Sequence, residues 1–452
     1  MSIPPPGALS FSRLLLGRTR STPGRPRTVG FASHSVVPEP APTRPLFYSG
    51  EGHLLTIAPT GAGKGRSVII PNLLTYPGPI FCIDPKGENA QVTARRRRDM
   101  GQQVVIFDPY RTVTEHTDAL NPFDLFALPN AEIDSDSEMM TELITGGELT
   151  LGKDPFWDLT AGGLLTGLIG YAAEQEDPQK RNLGTALDLL HHDDVDYNLA
   201  VILDTFKFRT PLIRQEIAGY LSHEGDKCRP SVRSTAQAKV KTLCSAAARR
   251  CLQGSTFDVR AVLRGDPLTI FLVMPPEKLH SHRAILRLWL GVLLTTVMRR
   301  QHRTPHKTLF ILDECAQLGT MPLLRQALTL LRGYGVQAWT FWQDLSQLKQ
   351  LYPQDWPTIV NNSAVTQVFG MTNHLMAAEC AAQLGVQPET LLRLPPGEQM
   401  LHRAGRCCTG RARASRPLAA STTCATAASP ATTTPTGVSF RARGRRGRAP
   451  RA

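Results

Sequence analysis

Residues His53–Leu74, HLLTIAPTGAGKGRSVIIPNLL, place a short apolar run, a glycine-rich turn ending in lysine, and a second apolar run in immediate succession. That order predicts a buried strand, a phosphate loop and a buried helix. Gly61 and Gly63 free the backbone to curl so that successive N–H groups point inward as an anion nest. The helix N-terminus adds its dipole, and Lys64 adds a cation for the outer phosphates. Thr60, Gly61, Ala62, Gly63, Lys64 and Gly65 are therefore the candidate nucleotide-binding residues, and the pattern fits the Walker A form with Ala58 at the first glycine position. One departure matters: Gly65 stands where a Ser or Thr hydroxyl usually holds Mg²⁺. Ser67, two residues on, is expected to point elsewhere, so metal binding must lean on other groups. A glycine-rich turn by itself could also be only a tight loop, and the rest of the chain has to decide.

The deciding segment is TLFILDECAQLG, Thr308–Gly319. An apolar run ends in Asp313-Glu314, a Walker B form in which Asp313 is expected to hold Mg²⁺ and Glu314 to orient or deprotonate the attacking water. It follows the phosphate loop in the right order, with other strand-like runs between. The strand VQAWTFW then ends at Gln343, placed to touch the γ-phosphate and report its loss. Arg332, in Leu331-Arg332-Gly333-Tyr334-Gly335, is a candidate arginine finger or an exposed arginine at a helix end. Together these motifs predict a P-loop NTPase.

Between the two motifs, PIFCIDPKGEN supplies another strand ending in Asp84-Pro85-Lys86-Gly87-Glu88, either a ligand-facing loop or a polar turn with a helix cap. A helix over residues 89–100 carries Arg95–Arg98, read as a solvated face rather than a DNA contact, and QVVIFDPY is the next strand. This strand–helix–strand rhythm argues for a parallel α/β sheet. From 123 to 264 the spacing turns helical, and the basic helix around Ser231–Arg250 is read as amphipathic or as a lining for nucleic acid. The sheet resumes with LTIFLVMPP. His191-His192-Asp193-Asp194 reads as a solvated segment rather than a metal site, because neighbouring residues on a helix diverge. Cys82 and Cys315 lie in apolar runs and read as buried thiols; no C-x-x-C pair is present.

The net charge of +13 suggests nucleic acid until it is located. Of the 51 basic residues, eleven Arg lie beyond Leu401 and six within residues 1–46, leaving 34 in between. One of the 38 acidic residues, Glu39, lies in those flanks, leaving 37. The middle is near neutral, so any DNA path must be a local stripe or pore lining. Residues 1–46 read as a flexible basic leader. Residues 401–452 read as a disordered Arg-rich tail, either a basic arm or the translation of a shifted frame. No run of roughly 18 apolar residues, the length a membrane helix needs, occurs.

At this point APTGAGKG, the DPKGE turn, NPFDLF, DPFW, LFILDE and RGYGV…WQDLSQL together resemble the type IV secretion coupling proteins of conjugation, the TraG class, over Phe47 to Met400. The resemblance implies an α/β RecA-like P-loop NTPase with a mainly parallel sheet, in parts 47–122 and 265–400, and an all-helical inserted domain at 123–264. It also implies a homo-hexamer that uses ATP and Mg²⁺ to deliver DNA, as a relaxase–DNA complex, or secreted proteins to a cell-envelope channel. Lys64 would bind phosphate, Asp313 and Glu314 would serve Mg²⁺ and hydrolysis, Gln343 would sense phosphate, and Arg332 would be the finger. ATP is preferred over GTP because no NKxD-type motif is present. Members usually begin with two membrane helices, so attachment to the cytoplasmic face of the inner membrane would come from a partner or a missing N-terminal segment, or else the chain would be cytoplasmic. A protein-delivering ATPase without DNA dependence, or a non-catalytic remnant, are the other readings.

Overall fold

The computed structural model describes residues 13–19, 43–146, 155–223, 227–330, 334–395 and 397–403, together with the backbone of 406–411 and 421–424. In chain order the strands are β1 (Leu14–Thr19), β2 (Pro45–Tyr48), β3 (His53–Ile57), β4 (Ile80–Asp84), β5 (Gln103–Phe107) and β6 (Leu268–Val273). They continue as β7 (Thr308–Leu312), β8 (Val336–Trp342), β9 (Ser363–Phe369), β10 (Glu398–Arg403), β11 (Arg406–Arg411) and β12 (Ser421–Cys424). All belong to one sheet, ordered β2-β1-β11-β10-β9-β3-β8-β7-β4-β6-β5, with β12 paired to β11.

From β9 to β5 every neighbouring pair is parallel. Both faces of this block are covered, so its strands are apolar throughout rather than alternating. β3, β4, β6, β7 and β8 are buried along their whole length. Successive side chains still go to opposite faces. Leu55, Phe81 and Phe310 join one core, whereas Leu54, Cys82 and Ile311 join the other.

The helices α1 (Ile70–Thr75) and α2 (Glu88–Asp99) cover one face. Between β5 and β6 come α3 (Ile133–Thr145), α4 (Phe156–Ala173), α5 (Leu183–Leu190), α6 (Val195–Thr205), α7 (Pro211–Ser222), α8 (Cys228–Val240), α9 (Ala246–Leu252) and α10 (Arg260–Arg264). No strand occurs there among the described residues. α4 is apolar on all sides, which suits the centre of a helical cluster. At Gly170 an added Cβ would meet Ile213 Cδ1 at 2.2 Å, so the missing side chain is what lets α7 approach. After β6 follow α11 (Pro276–Leu279) and α12 (Arg283–Met298), then α13 (Pro322–Leu330) after β7 and α14 (Leu345–Leu351) after β8. Nearly all of α12 is buried, because it lies between the sheet and the helical cluster.

Two expectations about the ends are corrected. The 1–46 leader is not flexible at residues 14–19, where Leu14, Leu15 and Leu16 are buried and β1 pairs antiparallel with β2 and β11. The cause is a set of partners far away in sequence. Asn72 of α1 accepts from Leu15 N at 2.8 Å and donates to Leu15 O at 2.9 Å, while Gln367 and Gln399 both donate to Leu16 O. Likewise, a tail disordered from 401 onward is not what residues 401–403, 406–411 and 421–424 show. β10 reaches Arg403, β11 adds to it, and β12 adds to β11. The rest of both segments lies outside the described residues.

Candidate nucleotide site

β3 enters the site with Ala58 N bonded to Trp342 O at 2.8 Å, so the strand and β8 end side by side. The chain then turns, with Ala62 N on Pro59 O at 3.1 Å. Gly61 and Gly63 hold φ of 80° and 92°. No atom lies within 4 Å of a Cβ added at Gly61, so glycine is needed there for its backbone angle and not for space. Ser67 N returns to Gly63 O at 3.0 Å and opens a π-type turn over Gly65–Ile69 that leads into α1. Ser67 is 2% exposed and turned into the fold. Gly65 faces open space.

β8 lies between β3 and β7, which brings three strand ends together. Lys64 Nζ is 2.9 Å from Asp313 Oδ1 and 2.5 Å from Glu314 Oε1. Gln343 Nε2 donates to the other oxygen of Glu314 at 2.9 Å. Burial pulls the Lys64 ammonium down, but the Asp313 and Glu314 carboxylates outweigh it and leave its pKa raised. Burial also raises Asp313, opposed by the charge of Lys64. Glu314 takes φ 56°, ψ 49°, a conformation rare outside glycine and typical of strain held at working sites.

Asp313 is a hard oxygen donor beside the lysine that ends the glycine-rich turn, which fits Mg²⁺, an ion commonly held by one or two carboxylates with phosphate and water. Among the described residues no group of three or more His, Cys, Asp or Glu could form an all-protein cage. Arg332 lies outside the described residues, so its placement carries no geometry. The cavity of ≈610 Å³ at the opposite ends of β3 and β9, lined by Gly50, Ser363 and Arg403 among others, contains none of these groups.

Some contributors were missed in the sequence. Gln347 Oε1 accepts from Gln343 N at 3.1 Å, fixing the backbone of Gln343, while Asp344 caps α14 through Gln347 N. The spacing Asp344-x-x-Gln347 is the signature of a helix start and was available to find them. Asp84 is buried beside β7, where its carboxylate accepts from Ala90 N at 2.8 Å and caps α2, so the DPKGE segment is in part a helix cap. Of Arg95–Arg98, three are exposed and Arg97 is fully buried, a correction to the solvated-face reading.

A phosphate-loop strand separated by one strand from the strand of the acidic pair defines a RecA-like P-loop NTPase fold. Solved structures agree at the level of fold. TrwB, a plasmid coupling protein, is similar in its complex with the non-hydrolysable GTP analogue GDPNP, with a TM-score of 0.63 and 18% identity over 92% of this chain and 97% of that one. Its complex with ADP and Mg²⁺ also gives 0.63, over 91% and 97%. Residues 35–385 match the family described as type IV secretory system conjugative DNA transfer, and the chain belongs to it. The type IV secretion system-coupling protein VirD4 of Bartonella quintana is 28% identical over 305 residues, 66% of this chain and 47% of its own length. The conjugal transfer protein TraG of Escherichia coli is 26% identical over 325 residues, 67% and 50%. The chain thus spans about half the length of these curated relatives.

Proposed function

We propose that this chain is an ATP-driven coupling protein that delivers DNA, as a relaxase–DNA complex, to a type IV secretion channel, working as a homo-hexamer on Mg²⁺ and ATP. The observation that carries the reading is the convergence of Lys64, Asp313, Glu314 and Gln343 at three adjoining strand ends. TrwB, similar in fold, is described in complexes with ADP and Mg²⁺ and with an ATP analogue, and VirD4 is named a coupling protein. Among the described residues no helix is long and apolar enough to cross a membrane, so the reading assigns membrane attachment to a partner or to a segment outside this sequence.

Thr60 to Gly65 cradle the phosphates with backbone N–H groups, and Lys64 neutralises the outer ones. Asp313 would hold Mg²⁺, which when bound would supply charge neutralisation for the phosphates. Glu314 orients the attacking water and accepts its proton. Its two oxygens are separately occupied by Lys64 and Gln343, so its carboxylate plane is held before any substrate arrives. Gln343, bonded to Glu314, would be the group that registers phosphate loss. Arg332 acts on the nucleotide of a neighbouring subunit.

The test is ATP hydrolysis by the full chain with and without single-stranded DNA, beside Lys64→Ala and Glu314→Gln. DNA-stimulated turnover is expected. Glu314→Gln should lose about 10²–10⁴-fold in kcat while still binding nucleotide, and Lys64→Ala should lose binding as well. Turnover indifferent to DNA would replace DNA with protein cargo as the substrate, and no turnover would mark a non-catalytic member.

A further inference from the structure

Arg287 sits in the first turns of α12, is 3% exposed, and reaches two places that are far apart in sequence. Its Nη2 donates to Ile144 O, at the end of α3, at 2.8 Å. Its Nη1 donates toward Leu318 O at 3.5 Å. Leu318 closes the short helical turn that starts immediately after Glu314, and Gln317 N bonds back to Glu314 O at 2.9 Å. One guanidinium therefore spans the last turn of the first inserted helix and the turn that follows the acidic pair.

A glycine on the α3 side makes room for it, and a second lies beside it on the other side. Gly146 and Gly319 have φ of 90° and 68°. A Cβ at Gly146 would lie 2.3 Å from Arg287 Nη1, and one at Gly319 would lie 2.9 Å from Arg283 Nη1 and 3.7 Å from Arg287 Nη1. The α3 end is thus brought tightly against the Arg287 guanidinium at Gly146, while Gly319 lies in ordinary contact range of it. The end of α3 also presents the negative end of its dipole to the cation. The other end of α3 is held differently: Arg299 binds Asp136 at 2.5 Å and Leu125 O at 3.2 Å and has no described bond to the acidic turn.

We infer that Arg287 is a positioning residue for hydrolysis: it sets the turn after Glu314 and, through the same planar group, makes the C-terminal end of α3 follow that turn. The inference rests on the nucleotide-hydrolysis reading above. A guanidinium holds its donors in one rigid fork, so a shift of one carbonyl is passed to the other, whereas an ammonium is a single point of charge.

Arg287→Lys and Arg299→Lys, each in the full chain, separate this role from mere support of α3. kcat and KM for ATP, binding of Mg–ADP by titration, and amide hydrogen exchange at 144–146 and 315–319 with and without Mg–ADP are read. Arg287→Lys should lower kcat about tenfold or more with KM and ADP affinity within about twofold. It should keep the ADP-induced exchange change at 315–319 and lose the one at 144–146. Arg299→Lys should melt earlier yet keep kcat and both exchange changes. Equal kcat in the two variants would overturn the inference. So would the absence of an ADP-induced change at 144–146 in the wild-type chain, a measurement that needs no variant to fold. A chain that binds ADP but hydrolyses nothing would sink the ATPase reading and with it a role of Arg287 in hydrolysis, and one that binds no ADP would sink both; hydrolysis with no ADP-induced exchange change at 144–146 would sink the Arg287 inference alone.

Discussion

Arg97 is the sharpest case of a residue whose neighbours in sequence misrepresent it. It sits in a run of four arginines, yet its guanidinium donates to Thr269 Oγ1 and to the carbonyls of Leu73, Tyr76 and Gly78. Burial lowers its pKa to about 10, which still leaves it charged near neutrality. A buried charge is tolerable only when its donors are met, and those acceptors come from two other segments, residues 73–78 and β6. Asp84 is a similar case with a pH consequence. Burial raises its carboxyl to about 6, against the lowering effect of backbone bonds from Ala90, Asn89 and Gly87. In the unfolded chain it would titrate near ~3.9. Between those values the folded state holds a proton that the unfolded state has released, so this group's contribution falls as pH rises and levels off above about 6. Asp84→Asn keeps an acceptor for Ala90 N and removes the titration. Its stability relative to wild type, from urea midpoints, should improve by about 1 kcal/mol between about pH 5 and pH 7.

Elements show the same contrast between local and distant causes. β3, β4, β6, β7 and β8 are legible as apolar runs because a parallel strand covered on both faces needs nothing but apolar residues. The short β1 had no such statistic, since three leucines in a leader of Arg, Ser and Pro carry little weight. What makes it a strand is Asn72, which is fully buried and bonds Leu15 N, Leu15 O and Val68 O. Asn72→Ala would leave the Leu15 peptide groups without those partners in a dry setting, for a loss of about 2–4 kcal/mol. Denaturant unfolding would measure it, with faster proteolysis near residues 14–19 as a second sign. An unchanged midpoint would show that β1 is not held through Asn72.

At the scale of the whole molecule, the helices between β5 and β6 share one continuous apolar core with a face of the sheet, with α12 between them. α3 is fastened to α12 at both ends, by Arg299 with Asp136 and by Arg287 with Ile144. The assembly proposal yields its own prediction. Lys64→Ala and Arg332→Ala subunits should each be inactive alone. Mixed before assembly, they should regain a measurable share of wild-type hydrolysis, because some interfaces then pair an intact Lys64 with an intact Arg332. No recovery at any mixing ratio would mean that Arg332 does not act across subunits.

Lys64, Asp313, Glu314 and Gln343 were all legible in the chain before its fold was known. Phosphate binding and water activation demand particular residue types at the ends of particular strands, and those demands are written locally. The order of the parallel strands was legible only as a rhythm; that β8 falls between β3 and β7, and so lets Gln343 hold Glu314, required the assembled sheet. The sequence by itself determined the P-loop pattern and the α/β class, because each rests on short spacings. Only tertiary structure decided the place of β1, the burial of Arg97 and the reach of Arg287, because each depends on carbonyls or amides supplied by residues tens or hundreds of positions away.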